Sequence, residues 1–220
     1  MSLIDDLCKP KDLALRFSHR FDAARLASDL ARMDDSWWEN HLSDYHDGNW
    51  QSISLFAPGG RRSNQFSIGG AFAATEALLR CDYVPEVIDS IPGRKSRIRF
   101  LRLRAGGEIF LHSDPLHHID PALIRIHVPV QTNPSVAFCV RGVRLQMLPG
   151  ETWFVDVRFK HSVRNAGDTD RVHLVIDVVA NPEIRAMMDS ADSVGQGLLS
   201  VYFLKHSLPK RLVRWLKIGN

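Results

Sequence analysis

Two short segments in the second half of the chain place the strongest constraint on its fold. Residues 125–128 read RIHV and residues 171–174 read RVHL, so polar and apolar side chains alternate strictly. Because successive side chains of a β-strand point to opposite faces, each segment predicts a strand with an apolar back and a polar front. An arginine on a buried polar front needs an anion beside it, since burying an unpaired charge carries a large desolvation penalty. The sequence therefore predicts a sheet whose guanidinium groups face a cavity.

A histidine and an acidic residue two positions apart, His112 and Asp114, form a second pattern. Both side chains would leave the same face of a strand and could reach one ion. His161 follows about fifty residues later and could add a ligand from a distant strand. Two imidazoles and one carboxylate make up the facial triad that holds Fe(II) and leaves coordination positions open for substrate and O2. We therefore predict an iron centre formed by His112, Asp114 and His161.

Between Trp50 and about Asp177 the chain resembles the aspartyl/asparaginyl β-hydroxylase family of Fe(II)- and 2-oxoglutarate-dependent dioxygenases, which includes small bacterial hydroxylases of free amino acids. The motifs that carry the resemblance are, in chain order, GNWQSISLF, HSD, RIHVPV, GETWFVD, HSV and RVHLVID. The resemblance implies that the predicted iron ligands bind Fe(II) and that Arg171 binds the far carboxylate of 2-oxoglutarate. It places Arg125 and His127 on the cosubstrate or substrate side of the cavity.

The resemblance also brings departures and one weaker assignment. Leu101 stands where the vertebrate members have a serine that helps to hold the cosubstrate. Those members lack the acidic ligand, so Asp114 places the chain with the bacterial branch. Arg102 has an arginine counterpart in a bacterial member and is expected to contribute to substrate binding. The face of residues 97–104 that carries Arg102 and Arg104 is alternatively a solvated sheet face.

The activity implied by the resemblance is hydroxylation of an unactivated carbon, expected to be Cβ, in a free or peptide-borne amino acid. O2 and 2-oxoglutarate would be consumed in the reaction. An alternative is a metal-binding, cupin-like protein without oxygenase activity that serves as a sensor or binding module. Arg171 would then be only a partner in a structural ion pair.

Short strands separated by Gly, Pro and Asn, without a strand–helix–strand rhythm, indicate a mainly β protein with flanking helices. The expected fold is an antiparallel jelly roll, the double-stranded β-helix of cupins. Residues 1–180 would form this domain, including an amphipathic helix over residues 21–33. Residues 181–220 would form a C-terminal helical extension.

Several local predictions concern the connections. Residues 69–81 predict a short helix, followed by a break before the sheet resumes. Gly106-Gly107 predicts a hairpin or bulge, and the turn at residues 149–151 predicts a strand that leads to His161. Residues 34–50 predict a loop and edge strand over the barrel mouth, or a substrate lid that contributes Trp37, Trp38 or Tyr45.

Composition excludes other classes of partner and site. The formal charge of +3 comes from dispersed basic residues, which does not indicate a nucleic-acid-binding protein. The three cysteines have no CxxC spacing and suggest free thiols in a reducing compartment. No signal-peptide pattern or apolar run of about eighteen residues is present, so we expect a cytoplasmic protein without stable membrane insertion. The basic segment after Pro209 would dock on the barrel or on a homodimer partner, or form a surface for an anionic membrane or acidic carrier.

Overall fold

The structure, a computed structural model, describes residues 13–63, 70–114 and 123–194. The strands are, in chain order, β1 (Ala14–Arg20), β2 (Glu39–Asn40), β3 (Trp50–Pro58), β4 (Phe72–Ala74), β5 (Lys95–Leu103), β6 (Glu108–His112), β7 (Leu123–Gln131), β8 (Val136–Val140), β9 (Val143–Leu145), β10 (Glu151–Val155), β11 (His161–Asn165), β12 (Arg171–Val179) and β13 (Asp192–Val194). The α-helices are α1 (Ala23–Leu30), α2 (Val84–Ser90) and α3 (Pro182–Asp189), and single 3-10 turns lie at Asp35–Trp37 and Leu78–Arg80.

Two antiparallel sheets face each other. The major sheet has the strand order β13-β1-β10-β7-β12-β5-β3-β2, with β4 paired to β3, and the minor sheet has the order β6-β11-β8-β9. Apolar side chains from both sheets, among them Leu103 and Val175 from the major sheet and Phe138 and Val163 from the minor sheet, form one core cluster between them. This arrangement is the antiparallel jelly roll that the sequence predicts.

The opposite face of the major sheet is covered by the helices. Even-numbered residues of β7 and β12, such as Ile126 and Leu174, are fully buried there with Leu26 of α1, Val87 of α2 and Ile184 of α3. The odd-numbered residues of the same two strands face the minor sheet, as the alternation predicts. Apolar burial on one face therefore fixes the register of these strands and turns every odd-numbered polar residue toward the space between the sheets.

The predicted amphipathic helix is present as α1, and its first turn is capped by the Asp22 carboxylate, which accepts hydrogen bonds from the backbone of Ala24 and Arg25. The prediction of a short helix over residues 69–81 is wrong. Residues 72–74 pair with the edge of β3 instead, and the buried Thr75 hydroxyl donates to the Ser54 carbonyl. Pairing with a distant strand overrides the local helix preference of this segment.

Helix α2 overlaps a segment for which the sequence predicts only a break before the next strand. Its N-terminus is satisfied from far away in the chain, because the buried Asp29 carboxylate accepts hydrogen bonds from the backbone of Asp82, Tyr83 and Val84. An N-terminal cap normally sits beside its helix in the sequence. A cap supplied from about fifty residues away cannot be recognised from the residues next to the helix in the sequence.

Two of the predicted connections join a strand of the major sheet to a strand of the minor sheet. The turn at Gly106-Gly107 joins β5 of the major sheet to β6 of the minor sheet, so it does not close a hairpin. The strand after the turn at residues 149–151 is β10, which ends at Val155. The chain then crosses to the minor sheet, where His161 begins β11. The prediction that one strand leads from that turn to His161 is therefore wrong.

Residues beyond 180 contribute to the described fold. Helix α3 is capped by Asn181, and β13 pairs with β1 at the edge of the major sheet. The division of the chain at residue 180 stays a prediction, and the predicted basic C-terminal segment lies outside the described residues. No helix in the described ranges has the length and apolar character needed to span a membrane.

Replacing Gly150 with alanine is expected to destabilise the fold more than the same change at Gly142. Both glycines have left-handed backbones, with φ of 79° and 80°. A Cβ on Gly150 would lie 2.3 Å from the Phe21 carbonyl oxygen, whereas one on Gly142 meets nothing within 4 Å. We expect G142A to cost ~1 kcal/mol for backbone strain and G150A ~3 kcal/mol, because backbone hydrogen bonds must also shift. Urea unfolding measures both values, and equal losses would contradict this packing.

Candidate metal centre

His112, Asp114 and His161 come together between the two sheets. His112 ends β6, His161 begins β11, and the two residues are direct partners in the register of the minor sheet. One ligand atom from each of the three residues lies within 4.8 Å of the others, and His112 Nε2 is 3.3 Å from Asp114 Oδ1. Donor atoms at such separations can share one cation.

Backbone carbonyls orient both imidazoles. His112 Nδ1 lies 2.7 Å from the Phe110 carbonyl oxygen, and His161 Nδ1 lies 2.9 Å from that of Phe159. A carbonyl only accepts hydrogen bonds, so each Nδ1 carries the proton and each Nε2 presents a lone pair to the cluster. This is the outer hydrogen bond that metal-bound histidines typically make. Burial lowers the pKa of His161 to about 4, which keeps that ring in the neutral form that binds metals.

The Asp114 carboxylate is held in its ionised form. Burial alone raises its pKa, but the adjacent His112 ring and the positive charge of Arg125 outweigh burial and hold the pKa well below its usual range. Arg125 makes a short hydrogen bond to Asp114. The donor set of two neutral imidazoles and one carboxylate therefore fits a divalent cation such as Fe(II).

The Asp177 carboxylate forms ion pairs with three arginines. This carboxylate is fully buried and accepts from Arg125 Nε at 2.8 Å and from Arg125 Nη2 at 3.2 Å. Arg97 and Arg99 on β5 reach the same carboxylate at 3.3 and 3.6 Å. Burial raises the pKa of Asp177, but the surrounding guanidiniums lower it well below its usual range. Asp177 and the Arg97–Arg99 pair are functional candidates that the sequence predictions missed.

Arg171 is a buried cation of the cavity, because only 3% of its surface is exposed to solvent. Its Nη2 contacts His173 Nδ1 at 2.9 Å and its guanidinium lies 5.5 Å from the centre of the Phe138 ring. Its Nε has no hydrogen-bond partner, and no carboxylate among the described residues forms an ion pair with it. Burial lowers its pKa to about 9, so the guanidinium stays mostly charged at neutral pH and calls for an anion.

His127 is a second buried polar group without a partner. Neither ring nitrogen has a hydrogen-bond partner in the described part of the protein, and burial holds its pKa well below the usual range. Its ring lines the same cavity as the candidate metal ligands, Arg125 and Arg171. The remaining lining is largely apolar and consists of Trp50, Leu101, Ile109, Phe138, Val157 and Val163.

The structure thus brings together six of the seven residues predicted for the site: His112, Asp114, His161, Arg125, His127 and Arg171. Arg102 is not among them. It lies on the other face of β5, where its Nε donates to Gln51 at 3.0 Å, its Nη1 donates to Asp35 at 2.8 Å and its guanidinium stacks 4.2 Å from the Trp38 ring. Packing of the neighbouring even-numbered residues against the helical layer turns Arg102 away from the cavity.

Of the aromatic residues predicted for a lid, Tyr45 is the one beside the centre. Its ring stacks on His112 with a centroid separation of 4.0 Å. Trp37 is buried instead between the guanidiniums of Arg62 and Arg80, each 4.6 Å from its ring. His41 and His46 do not join the metal cluster: His41 stacks on Trp50, and the His46 ring contacts the His41 carbonyl.

Comparisons with known proteins agree with this geometry. A sequence model of the family described as aspartyl/asparaginyl beta-hydroxylase matches residues 21–181. The chain is 29% identical over 166 residues to the L-proline cis-4-hydroxylase of Rhizobium meliloti (strain 1021), a match that covers 73% of this chain and 59% of that protein. The match therefore spans less than two thirds of the relative's length.

Solved structures share the fold at low sequence identity. A prolyl-4-hydroxylase from Pseudomonas putida matches with a TM-score of 0.52 and 15% identity, covering 81% of this chain and 97% of that chain. An oxidoreductase of the 2OG-Fe(II) oxygenase family from Burkholderia pseudomallei matches with a TM-score of 0.50 and 12% identity, covering 79% and 80%. These likenesses support the jelly-roll fold.

Replacing His161 with alanine is expected to weaken metal binding by at least ~100-fold, because loss of a direct ligand exceeds the 10–100-fold effect typical of an outer partner. His46→Ala is the matched control, since His46 lies outside the cluster. Titration with Co(II), an oxygen-stable substitute for Fe(II), followed by calorimetry measures both affinities. Equal Co(II) affinities in the two variants would show that His161 is not a metal ligand.

Proposed function

Because the chain belongs to the aspartyl/asparaginyl β-hydroxylase family, we propose that it is an Fe(II)- and 2-oxoglutarate-dependent dioxygenase that hydroxylates an amino acid. The observation that carries the proposal is the buried guanidinium of Arg171. It lacks a carboxylate partner among the described residues and lines the same cavity as the His–Asp–His cluster. A dicarboxylate that reaches from the metal to Arg171 would satisfy both requirements.

His112, Asp114 and His161 would hold the iron. Bound Fe(II) with 2-oxoglutarate supplies the oxidising chemistry: O2 is consumed, the cosubstrate is converted to succinate and CO2, and one oxygen atom enters the substrate as a hydroxyl group. Two imidazoles that present Nε2 lone pairs and one ionised carboxylate are already in the protonation states that bind a divalent cation. Arg125 keeps Asp114 oriented and ionised through their hydrogen bond.

The other cavity residues have separate tasks. Arg171 binds the far carboxylate of the cosubstrate, for which its planar fork is suited. His127 is neutral and offers one donor and one acceptor nitrogen to the carboxylates or to water near the metal. Leu101, Ile109 and Phe138 form apolar walls that limit the access of water.

The arginines around Asp177 indicate the charge of the substrate. The buried guanidinium of Arg99 approaches Asp177 only at 3.6 Å, and Arg125 already donates two hydrogen bonds to that carboxylate. Arg99 lies on the cavity side of β5, opposite Val175 and two residues before Leu101, and its Nε has no hydrogen-bond partner in the described part of the chain. An anionic group on the substrate would accept from this N–H group, so the proposal favours an amino acid with a free carboxylate.

The position of the new hydroxyl group has two candidates. The family description refers to the β-carbon, which is also the position expected from the sequence, whereas the name of the rhizobial relative refers to position 4 of L-proline. Product analysis distinguishes them. The alternative of a non-catalytic metal-binding module assigns Arg171 to a structural ion pair, and no such pair is found among the described residues.

Replacing Arg171 with alanine is expected to weaken binding of 2-oxoglutarate ~100-fold, because a charge-assisted bidentate contact is lost. Anaerobic titration of the Fe(II) protein, followed by the visible charge-transfer band of the iron–keto-acid chelate, measures the affinity. Arg102→Gln is the control, since Arg102 lies on the far face of β5. Absence of the band in wild type with iron bound would favour the metal-binding module. A loss of 2-oxoglutarate affinity in R102Q but not in R171A would contradict the assignment of Arg171 to the cosubstrate.

Replacing Arg99 with glutamine is expected to raise the KM of the amino-acid substrate ~10-fold, while 2-oxoglutarate affinity stays within ~2-fold. Succinate release in a screen of free amino acids first identifies the substrate. The carboxamide of that substrate serves as the matched ligand, since it lacks the negative charge. Wild type should prefer the acid over the amide, and R99Q should lose most of that preference. An unchanged preference would mean that another residue binds the substrate carboxylate.

A further inference from the structure

His173 is a fully buried histidine that the proposed chemistry has not used. It lies on β12 two residues after Arg171, on the same cavity-facing side, and its ring packs edge-on against that of His127 at 5.7 Å. Its one hydrogen bond among the described residues joins Nδ1 to Arg171 Nη2 at 2.9 Å. Burial holds its pKa well below the usual range, so the ring is neutral.

This contact defines the tautomer of His173. A guanidinium has five N–H donors and no acceptor, so His173 Nδ1 must be the acceptor. The ring proton therefore sits on Nε2. His173 also lines a separate cavity of about 240 Å³ together with Thr132, Gln146 and Arg171.

The choice of a neutral acceptor has an electrostatic consequence. Buried arginines are most often oriented by carboxylates, as Arg125 is by Asp177. A carboxylate beside Arg171 would orient the guanidinium equally well but would cancel its charge. An imidazole lone pair fixes the orientation and leaves the positive charge available for an incoming anion.

We propose that His173 is a positioning residue that orients Arg171 through a neutral hydrogen bond and thereby sets the preference of the site for a dicarboxylate cosubstrate. The inference rests on the proposed function, because the anion in question is the far carboxylate of 2-oxoglutarate. It predicts that both the acceptor atom and the absence of negative charge at position 173 matter. Leu101 lines this cavity and adds no polar group, so among the described residues it is His173 that forms the side-chain hydrogen bond with Arg171.

Three substitutions separate the two requirements. His173→Asn places an amide oxygen near the position of Nδ1 and keeps the acceptor neutral. His173→Asp has nearly the same shape but introduces a negative charge beside Arg171. His173→Leu removes the acceptor. The affinity of the Co(II)-loaded protein for 2-oxoglutarate is measured by calorimetry, and oxalate is the reference ligand, because it chelates the metal but lacks a far carboxylate.

We expect the ratio of oxalate to 2-oxoglutarate dissociation constants to stay within ~3-fold of wild type in H173N, to fall ~10-fold in H173L and to fall ~100-fold in H173D. Equal ratios in H173N and H173D, or a wild-type ratio in H173L, would overturn the inference. Nitrogen-15 NMR of wild type gives a test without substitutions: a protonated Nδ1 on His173 would also overturn it. Failure of wild type to bind 2-oxoglutarate at all would instead refute the proposed function.

Discussion

The space between the two sheets contains more buried positive charge than the described carboxylates neutralise. Arg99, Arg125 and Arg171 line or approach it, whereas Asp114 and Asp177 are the described acidic residues beside them. Buried charge without compensation is costly, and a stable protein retains it only where something offsets the cost. A dianionic cosubstrate and an anionic substrate would do so, which makes the excess charge the physical basis of the proposed specificity.

In the jelly roll, strands β7 and β12 turn apolar side chains toward the helices on one face and polar side chains toward the cavity on the other. Even-numbered residues of β7 and β12, such as Ile126 and Leu174, pack under the helices and fix the strands in place. Odd-numbered residues, including Arg125 and Arg171, are then forced into the cavity with no alternative position. The minor sheet brings His112 and His161 together as register partners, and Asp114 follows two residues after the end of β6.

Much of this site could be predicted from the sequence, and the residues explain why. His112 and Asp114 are two positions apart, with His112 at the end of β6 and Asp114 just beyond it, and the RIHV and RVHL segments have apolar backs. Residues 97–104 do not show which face of β5 is buried against the helices, because each face mixes arginines with apolar residues. The sequence therefore predicts Arg102 in the cavity, whereas Arg99 lies on the cavity-facing side of β5. The role of Asp177 depends on its pairing with Arg125 across two strands, and that of Asp29 on a helix about fifty residues away. Such long-range pairings are set by tertiary packing and leave no local pattern.

The central claim is that one ligand connects the His–Asp–His cluster to Arg171. An anaerobic crystal structure of the protein with Fe(II) and 2-oxoglutarate tests it most directly. The account predicts iron bonded to His112 Nε2, Asp114 and His161 Nε2, with the far carboxylate of 2-oxoglutarate paired with the Arg171 guanidinium. Iron bound elsewhere, or a far carboxylate held by other residues while Arg171 remains without an anion, would contradict the account.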